Sequence, residues 1–244
     1  MDCFVAALLA LTSLRGVAEA IQGRYGGGAP VRRGSARPRS GLARRGRLSP
    51  PKGVIMAKNI IICGVGGQGT VLAAKVLSQA AIANGERVLS AETIGMAQRG
   101  GSVVSHVRIG GDVFSPLVPQ GQADVLIAFE AAEAVRNIAY LKQGGTVIVN
   151  KKVVQPVTAS LSGKAFDENE MISYLQKIAG NVVAVDTDEA CRELGSSKVV
   201  NMVLLGAASR AGLIDSQELK AAIKQLVKPD FYELNVRAVE WNKN

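Results

Sequence analysis

The residues in this chain best placed to hold a ligand are Gly64, Gly66, Gly67, Gln68 and Gly69 in the stretch GVGGQG. Glycines at the end of an apolar run let the backbone turn with positive φ and leave no Cβ in the way of an approaching ligand or partner chain. If a helix begins at Thr70, its free N–H groups and the positive end of its dipole point at the same spot, which makes an anion-binding corner suited to phosphate. Gly64, Gly66 and Gly69 also satisfy G-x-G-x-x-G, and Glu92 follows 23 residues after Gly69. That is near where a dinucleotide-binding fold places the acid that holds a ribose. Gln68 adds a long amide inside the turn, which an ordinary dinucleotide site does not require.

A second group lies in ETIGMAQRGGSVVSHVR, residues 92–108. Gln98 and Arg99, between Gly95 and Gly100–Gly101, form a loop whose amide and guanidinium can reach phosphate or carboxylate bidentately. The plainer reading leaves Arg99 solvated and packs Met96 on the core. No nucleophile–base pair accompanies these groups. His106 falls inside an expected strand, as a structural histidine would, and there is no Gly-x-Ser-x-Gly elbow. The glycine turn has no lysine after it, so ATP hydrolysis by a P-loop is not supported. The single histidine excludes a histidine-rich metal site. Cys3, Cys63 and Cys191 are too scattered for a disulfide framework, a zinc site or an iron–sulfur site within the chain. Such cysteine usage suits a reducing cytoplasm.

The elements that must position these residues alternate from Met56 onward. Asn59–Cys63, with Ile60, Ile61 and Ile62 consecutive, reads as a central strand buried on both faces of a parallel sheet. A helix over 71–83 follows, then a strand over 87–91 and a third over 102–109. Gly110 and Gly111 turn that third strand toward Val113 and Phe114, as in a hairpin or edge strand. A strand over 124–129, a helix over 130–141 closed by Gly144–Gly145 and a strand over 146–150 make a right-handed parallel crossover. Beyond it come a helix capped by Asp167, a strand over 181–185, a helix capped by Thr187 or Asp188, and a long apolar helix over 196–213. Gly206, Ala207, Ala208 and Ser209 allow that helix close packing. Asp215 with Glu218 opens another helix, and Asp230 a last one. The expected class is α/β: a Rossmann-like, mostly parallel sheet flanked by helices, with a helical C-terminal third.

Net charge of +9 would point to nucleic acid if it were spread over a folded surface. It is not. Of 29 basic and 20 acidic residues, ten basic ones lie in residues 1–55 against only Asp2 and Glu19, leaving 19 and 18 for the remainder. Residues 1–55 therefore form a basic extension, rich in Arg, Pro, Ser and Gly and expected to be disordered. It reads as a transit peptide or as upstream sequence from a start placed too early. Its apolar run is too short to span a bilayer, so neither a membrane nor a nucleic-acid role is expected of residues 56–244.

GVGGQG at 64–69, the helix TVLAAKVLSQAA after it and ETIGMAQRGGSVVSHVRIG at 92–110 resemble the gamma-type domain of 2-oxoacid:ferredoxin oxidoreductases. Within that family the GMAQRGG form is similar to the beta (small) subunit of indolepyruvate ferredoxin oxidoreductases. The resemblance covers residues 57 to about 243. It implies a non-autonomous subunit in a complex that converts an arylpyruvate to an aryl-acetyl-CoA with release of CO2, passing electrons to ferredoxin. It further implies that thiamine diphosphate and the iron–sulfur clusters sit on a large alpha subunit, with coenzyme A near this chain's surface. Gly64, Gly66, Gly67, Gln68 and Gly69 would form the turn at that junction, with Glu92, Gln98 and Arg99 beside it. The alternatives are a gamma subunit for pyruvate or 2-oxoglutarate, and a free-standing NAD(P)-dependent dehydrogenase.

Overall fold

Ile60, Ile61, Ile62 and Cys63 are all fully buried, which requires helices on both faces of the strand that carries them. The computed structural model describes residues 57–94, 101–111, 113–154 and 167–242. The expectations for residues 1–55 and for Met96, Gln98 and Arg99 lie outside these. In chain order the elements are β1 (Lys58–Val65), α1 (Thr70–Ala83), β2 (Val88–Ile94), β3 (Ser102–Ile109), β4 (Ala123–Ala128), α2 (Ala131–Asn137), β5 (Leu141–Asn150), α3 (Glu168–Ile178), β6 (Asn181–Val185), α4 (Thr187–Leu194), α5 (Val200–Arg210), α6 (Ser216–Leu226) and α7 (Tyr232–Glu240). The six strands form one sheet in the order β2-β3-β1-β4-β5-β6. The α/β class is as expected, and no described helix is long and apolar enough to cross a membrane.

The sheet is mixed. β1, β4, β5 and β6 run parallel, while β3 is antiparallel to both β1 and β2. β1 is therefore interior, but its neighbour on one side is antiparallel, against the expectation of a parallel pair. β3 is not an edge strand either: its hairpin closes backwards onto β2, and β2 is the edge. An unbroken apolar run signals burial on two faces and is silent about the direction of the next strand. Several helix boundaries also move. α2 ends at Asn137 and β5 already begins at Leu141, running through Gly144 and Gly145. The stretch 196–213 divides into a 3-10 turn, Ser197–Val199, and α5. α4 is capped by Asp186, which accepts the Glu189 N–H, while Thr187 turns inward as the first helical residue. α7 begins at Tyr232, after a 3-10 turn over Pro229–Phe231.

Alternation splits β1 between two cores. Ile60 and Ile62 pack with α1, α5, α6 and α7. The next residues along, Ile61 and Cys63, face the layer that holds α2, and the Cys63 thiol donates to the Glu133 carbonyl of that helix at 3.5 Å. The helix after β1 and the helix after β4 thus lie on opposite faces. That arrangement leaves the crevice between the carboxyl ends of β1 and β4 as the place where an open α/β sheet takes its ligand.

His106 is structural, as its strand position implied. It is buried in β3, where Nδ1 accepts the Val118 N–H at 3.1 Å and the ring meets Tyr140 edge-on with centroids 5.4 Å apart. Burial holds the imidazole below its ordinary pKa. The unfolded chain therefore takes the proton first. The stability this residue contributes is complete above about pH 6.5 and is lost as pH falls through that value toward the folded-state pKa. Between pH of about 7.5 and about 5.5, the unfolding free energy of the native chain in urea should fall further than that of His106→Gln, because only the native chain has an imidazole whose unfolded form takes up the proton first. Equal slopes would show that the ring does not couple folding to pH.

Candidate functional site

Local sequence explains the shape of the turn between β1 and α1. Gly67 and Gly69 adopt φ of 99° and 87°, a left-handed backbone that residues with a Cβ enter only at a cost. At Gly64 the constraint is space: a Cβ there would lie 2.8 Å from Phe129 Cβ. Gln68 folds back so that its Oε1 accepts the Val65 N–H at 2.7 Å, and its own N–H donates to the Val65 carbonyl at 3.2 Å. The Gln68 side-chain oxygen thus closes the loop. The N–H of Gly66 donates to the Gly101 carbonyl at 2.8 Å, tying the turn to the root of β3. The amides of Gly67 and Gly69 find no acceptor among the described residues, and Gly69 caps α1 without a side-chain bond. They lie at the amino end of α1, whose first-turn N–H groups have no intrahelical acceptor.

The Gly66–Gly101 bond also holds Gly101, the first described residue before β3, at this corner. Glu92 is elsewhere. It is exposed on β2, level with Ser105 and, through β3, with Ile62 rather than with Gly64. β3 stands between β2 and β1, so Glu92 is two strands from the turn, about 9.5 Å in the hydrogen-bonding direction. It lies beside Lys75, Ser78 and Ser90 on the α1 face. A ribose-binding acid occupies the strand adjacent to β1, and here that place belongs to an antiparallel strand.

Across the crevice lies a buried polar cluster that the sequence pattern did not single out. Glu130 is 2% exposed; its carboxylate accepts the N–H groups of Glu133 and Val154, and burial raises its pKa. Glu133 is 3% exposed, accepts the Ser102 hydroxyl at 2.6 Å and pairs with Arg136. Ser102 adjoins Gly101, so Glu133 braces the strand that holds the glycine turn. Asn150, at the end of β5, donates to the Phe129 carbonyl at 3.1 Å and accepts the Thr187 hydroxyl at 2.9 Å. The carboxyl ends of β4, β5 and β6 are locked by that one amide. The signal in the sequence was Glu130-x-x-Glu133-x-x-Arg136 directly after an apolar strand, which reads there as an ordinary solvated helix face.

The two described cysteines lie apart. Cys63 faces α2 and Cys191 packs with the core on the opposite face of the sheet. Burial first, then the carboxylates of Glu133 and Glu130, push the Cys63 thiol well above its ordinary pKa, so it remains a protonated donor.

The family model described as Pyruvate ferredoxin/flavodoxin oxidoreductase matches residues 59–241. The chain is 39% identical over 186 residues to the indolepyruvate oxidoreductase subunit IorB of Thermococcus kodakarensis, covering 75% of this chain and 92% of that protein. Subunits of the same name from three other archaea are 34–38% identical. Common gamma subunits of pyruvate/ketoisovalerate oxidoreductases reach 27–29%, and a 2-oxoglutarate synthase subunit KorC 32%. Among solved structures, the keto/oxoacid ferredoxin oxidoreductase gamma subunit of Geobacter sulfurreducens superposes with a TM-score of 0.54 at 26% identity, over 75% of this chain and 94% of that one. The 2-oxoglutarate:ferredoxin oxidoreductase of Magnetococcus marinus, solved with 2-oxoglutarate, coenzyme A and succinyl-CoA bound, has the same fold. It superposes with a TM-score of 0.57 at 23% identity, over 75% of this chain and 30% of its own.

Proposed function

Because the chain belongs to the pyruvate ferredoxin/flavodoxin oxidoreductase family, we propose that it is the small, gamma-type subunit of an indolepyruvate ferredoxin oxidoreductase. In that role it supports the ferredoxin-dependent oxidative decarboxylation of arylpyruvates to aryl-acetyl-CoA. The observation that carries the reading is the 39% identity to an indolepyruvate oxidoreductase subunit along 92% of that subunit's length. The geometry agrees with a supporting role. The chain offers a braced anion corner, while its described residues hold no group of three or more His, Cys, Asp or Glu fit for a metal.

Carbon–carbon cleavage and electron transfer belong, in this proposal, to thiamine diphosphate and iron–sulfur clusters on a large alpha subunit. What this chain supplies is a surface. Its crevice between β1 and β4 would face the coenzyme A side of the shared site, with the turn Gly64–Gly69 at the junction and Gln98 and Arg99 alongside. We assign the functional unit to residues 56–244 and, from its scattered cysteines, a place in the cytoplasm. A dehydrogenase reading would need an acid on the strand next to β1, and Glu92 is not there.

The test is reconstitution. The purified full chain alone should bind no iron and reduce no ferredoxin with indolepyruvate and coenzyme A. Both properties should appear when it is combined with the large subunit. Turnover by the chain alone, or iron held on its own sulfurs, would overturn the assignment.

A further inference from the structure

Phe114 is 90% exposed and Leu117, three residues on, is 53% exposed. Both belong to the segment 113–118, which is fastened to β3. The Val118 N–H donates to His106 Nδ1 at 3.1 Å, and Arg108 Nη1 donates to the Ser115 carbonyl at 3.0 Å. Ser115 Oγ in turn accepts the Leu117 N–H at 3.2 Å. Val113 and Val118, at the two ends, are buried. The backbone is thus anchored at both ends while the ring between them is left in water. Register places this segment beside an open part of the sheet. His106 is the cross-strand partner of Ala91 and of Ile61, and Arg108 that of Leu89, so all share the face that carries α2. α2 itself packs against β1, β4 and β5. On β2 and β3, Leu89, Ala91 and Val104 are only half-buried. A lone surface leucine needs no explanation, but a phenyl ring and a leucine held out on a fastened loop beside half-covered apolar strands mark an interaction surface.

We propose that Phe114 and Leu117 anchor a larger protein subunit on the β2–β3 side of the sheet, the ring entering an apolar hollow on that partner. The proposal rests on the subunit reading for the identity of the partner. A second copy of this chain is the competing occupant. A two-fold contact pairs a patch with the same patch, so the hollow would then have to lie on this chain. Its clefts are charged instead: one of about 220 Å3 is lined by Lys75 and Glu92, one of about 460 Å3 by Lys58, Glu86 and Glu218, and one of about 660 Å3 by Asp186 and Arg210. A phenyl ring entering any of these three would bury charge, which costs more than the ring returns. An aromatic anchor among apolar neighbours is instead what fills the centre of a lasting contact between different subunits. Because the loop is already fastened, it loses little conformational freedom on docking. Arg108, which holds Ser115, is level with Asn59 near the start of β1, whereas the glycine turn follows the end of that strand. A partner seated here therefore leaves the turn open.

The experiment is a calorimetric titration of the large subunit with the full chain, native and variant. Phe114→Ser should weaken binding about ten- to a hundredfold, the worth of burying one phenyl ring, and Leu117→Ser about three- to tenfold. Phe114→Trp, which keeps an aromatic anchor, should stay within about threefold of the native chain. The Tm of each isolated variant should match that of the native chain, because both side chains stand in water. Native affinity in Phe114→Ser and Leu117→Ser would overturn the proposal. So would a dimer of the chain alone, seen by sedimentation, that Phe114→Ser converts to a monomer, since a second copy would then hold the patch. If native and variant chains bind the large subunit equally well, this inference falls and the subunit assignment stands. If the native chain does not bind the large subunit at all, the assignment itself falls and takes the inference with it.

Discussion

Gly206→Ala should destabilise the domain severely, although it adds only one methyl group. Gly206 lies within α5, where α7 crosses so closely that a Cβ would sit 2.1 Å from the Val239 carbonyl oxygen and 2.9 Å from its Cα. The obstructing atoms are backbone, held inside α7, and cannot rotate aside as the tip of a side chain would. Met202, Leu205, Leu219 and Val239 are all at most 2% exposed around the crossing, so α7 has no room into which to retreat. Overpacking of this kind costs about 3 kcal/mol, a large fraction of the roughly 5–15 kcal/mol that holds a domain together. In a domain of this size that corresponds to a fall in Tm of about 6–12 °C. Calorimetry of the native chain and the variant decides it, and an unchanged Tm would mean that the two helices are not in contact at this point. The effect reaches the glycine turn, because the other end of α5 carries Asn201, which meets Gly69. Residual folded variant should therefore show a shifted Asn201 side-chain amide.

Gly67→Val should have the largest effect on function with a modest one on folding. No atom lies within 4 Å of a Cβ built at Gly67, so the side chain meets nothing inside the domain. The cost is the left-handed backbone, φ 99°, which penalises a residue with a Cβ by about 1–2 kcal/mol. A domain of ordinary stability survives that loss. What it does not preserve is the open approach, since an isopropyl group would stand where a ligand or partner backbone comes closest to the exposed turn. Misplacing a reacting group by even about 1 Å is costly, and turnover of the reconstituted complex should fall by about a hundredfold. Circular dichroism of the isolated chain should stay native-like. Full turnover in a complex containing the variant would demonstrate that the turn serves only the fold.

These two glycines show how unevenly the site can be read in advance. Gly67 is legible because its role is local: four glycines between an apolar strand and a helix impose the same turn in almost any fold. Gly206 is half legible, since a run of small residues announces a close neighbour without saying which. Gln68 lies inside the turn, as its position in the sequence implies, but its Oε1 is taken by the Val65 N–H. The choice between an internal and an external partner depends on a distance of a few ångströms that no spacing along the chain encodes. Glu92 shows the same limit at larger scale. Its interval of 23 residues after Gly69 fits a dinucleotide site only if β2 lies beside β1, and strand order is not a property of an interval.

The amino-acid sequence by itself determined what short-range physics controls: the α/β class, the buried character of Ile60–Cys63, the glycine turn at the head of α1, the strand position of His106 and the near-neutral balance of residues 56–244. The tertiary structure alone decided which strands are neighbours, that β3 enters antiparallel between β1 and β2, that Glu133 and Asn150 brace the strand ends, and that Asn201 meets Gly69. The division has a physical cause. Turns, caps and burial patterns follow from energies between residues a few positions apart. Strand order and the meeting of α1 with α5 follow from how whole faces are covered, a sum over contacts between residues that the chain separates by as many as 132 positions.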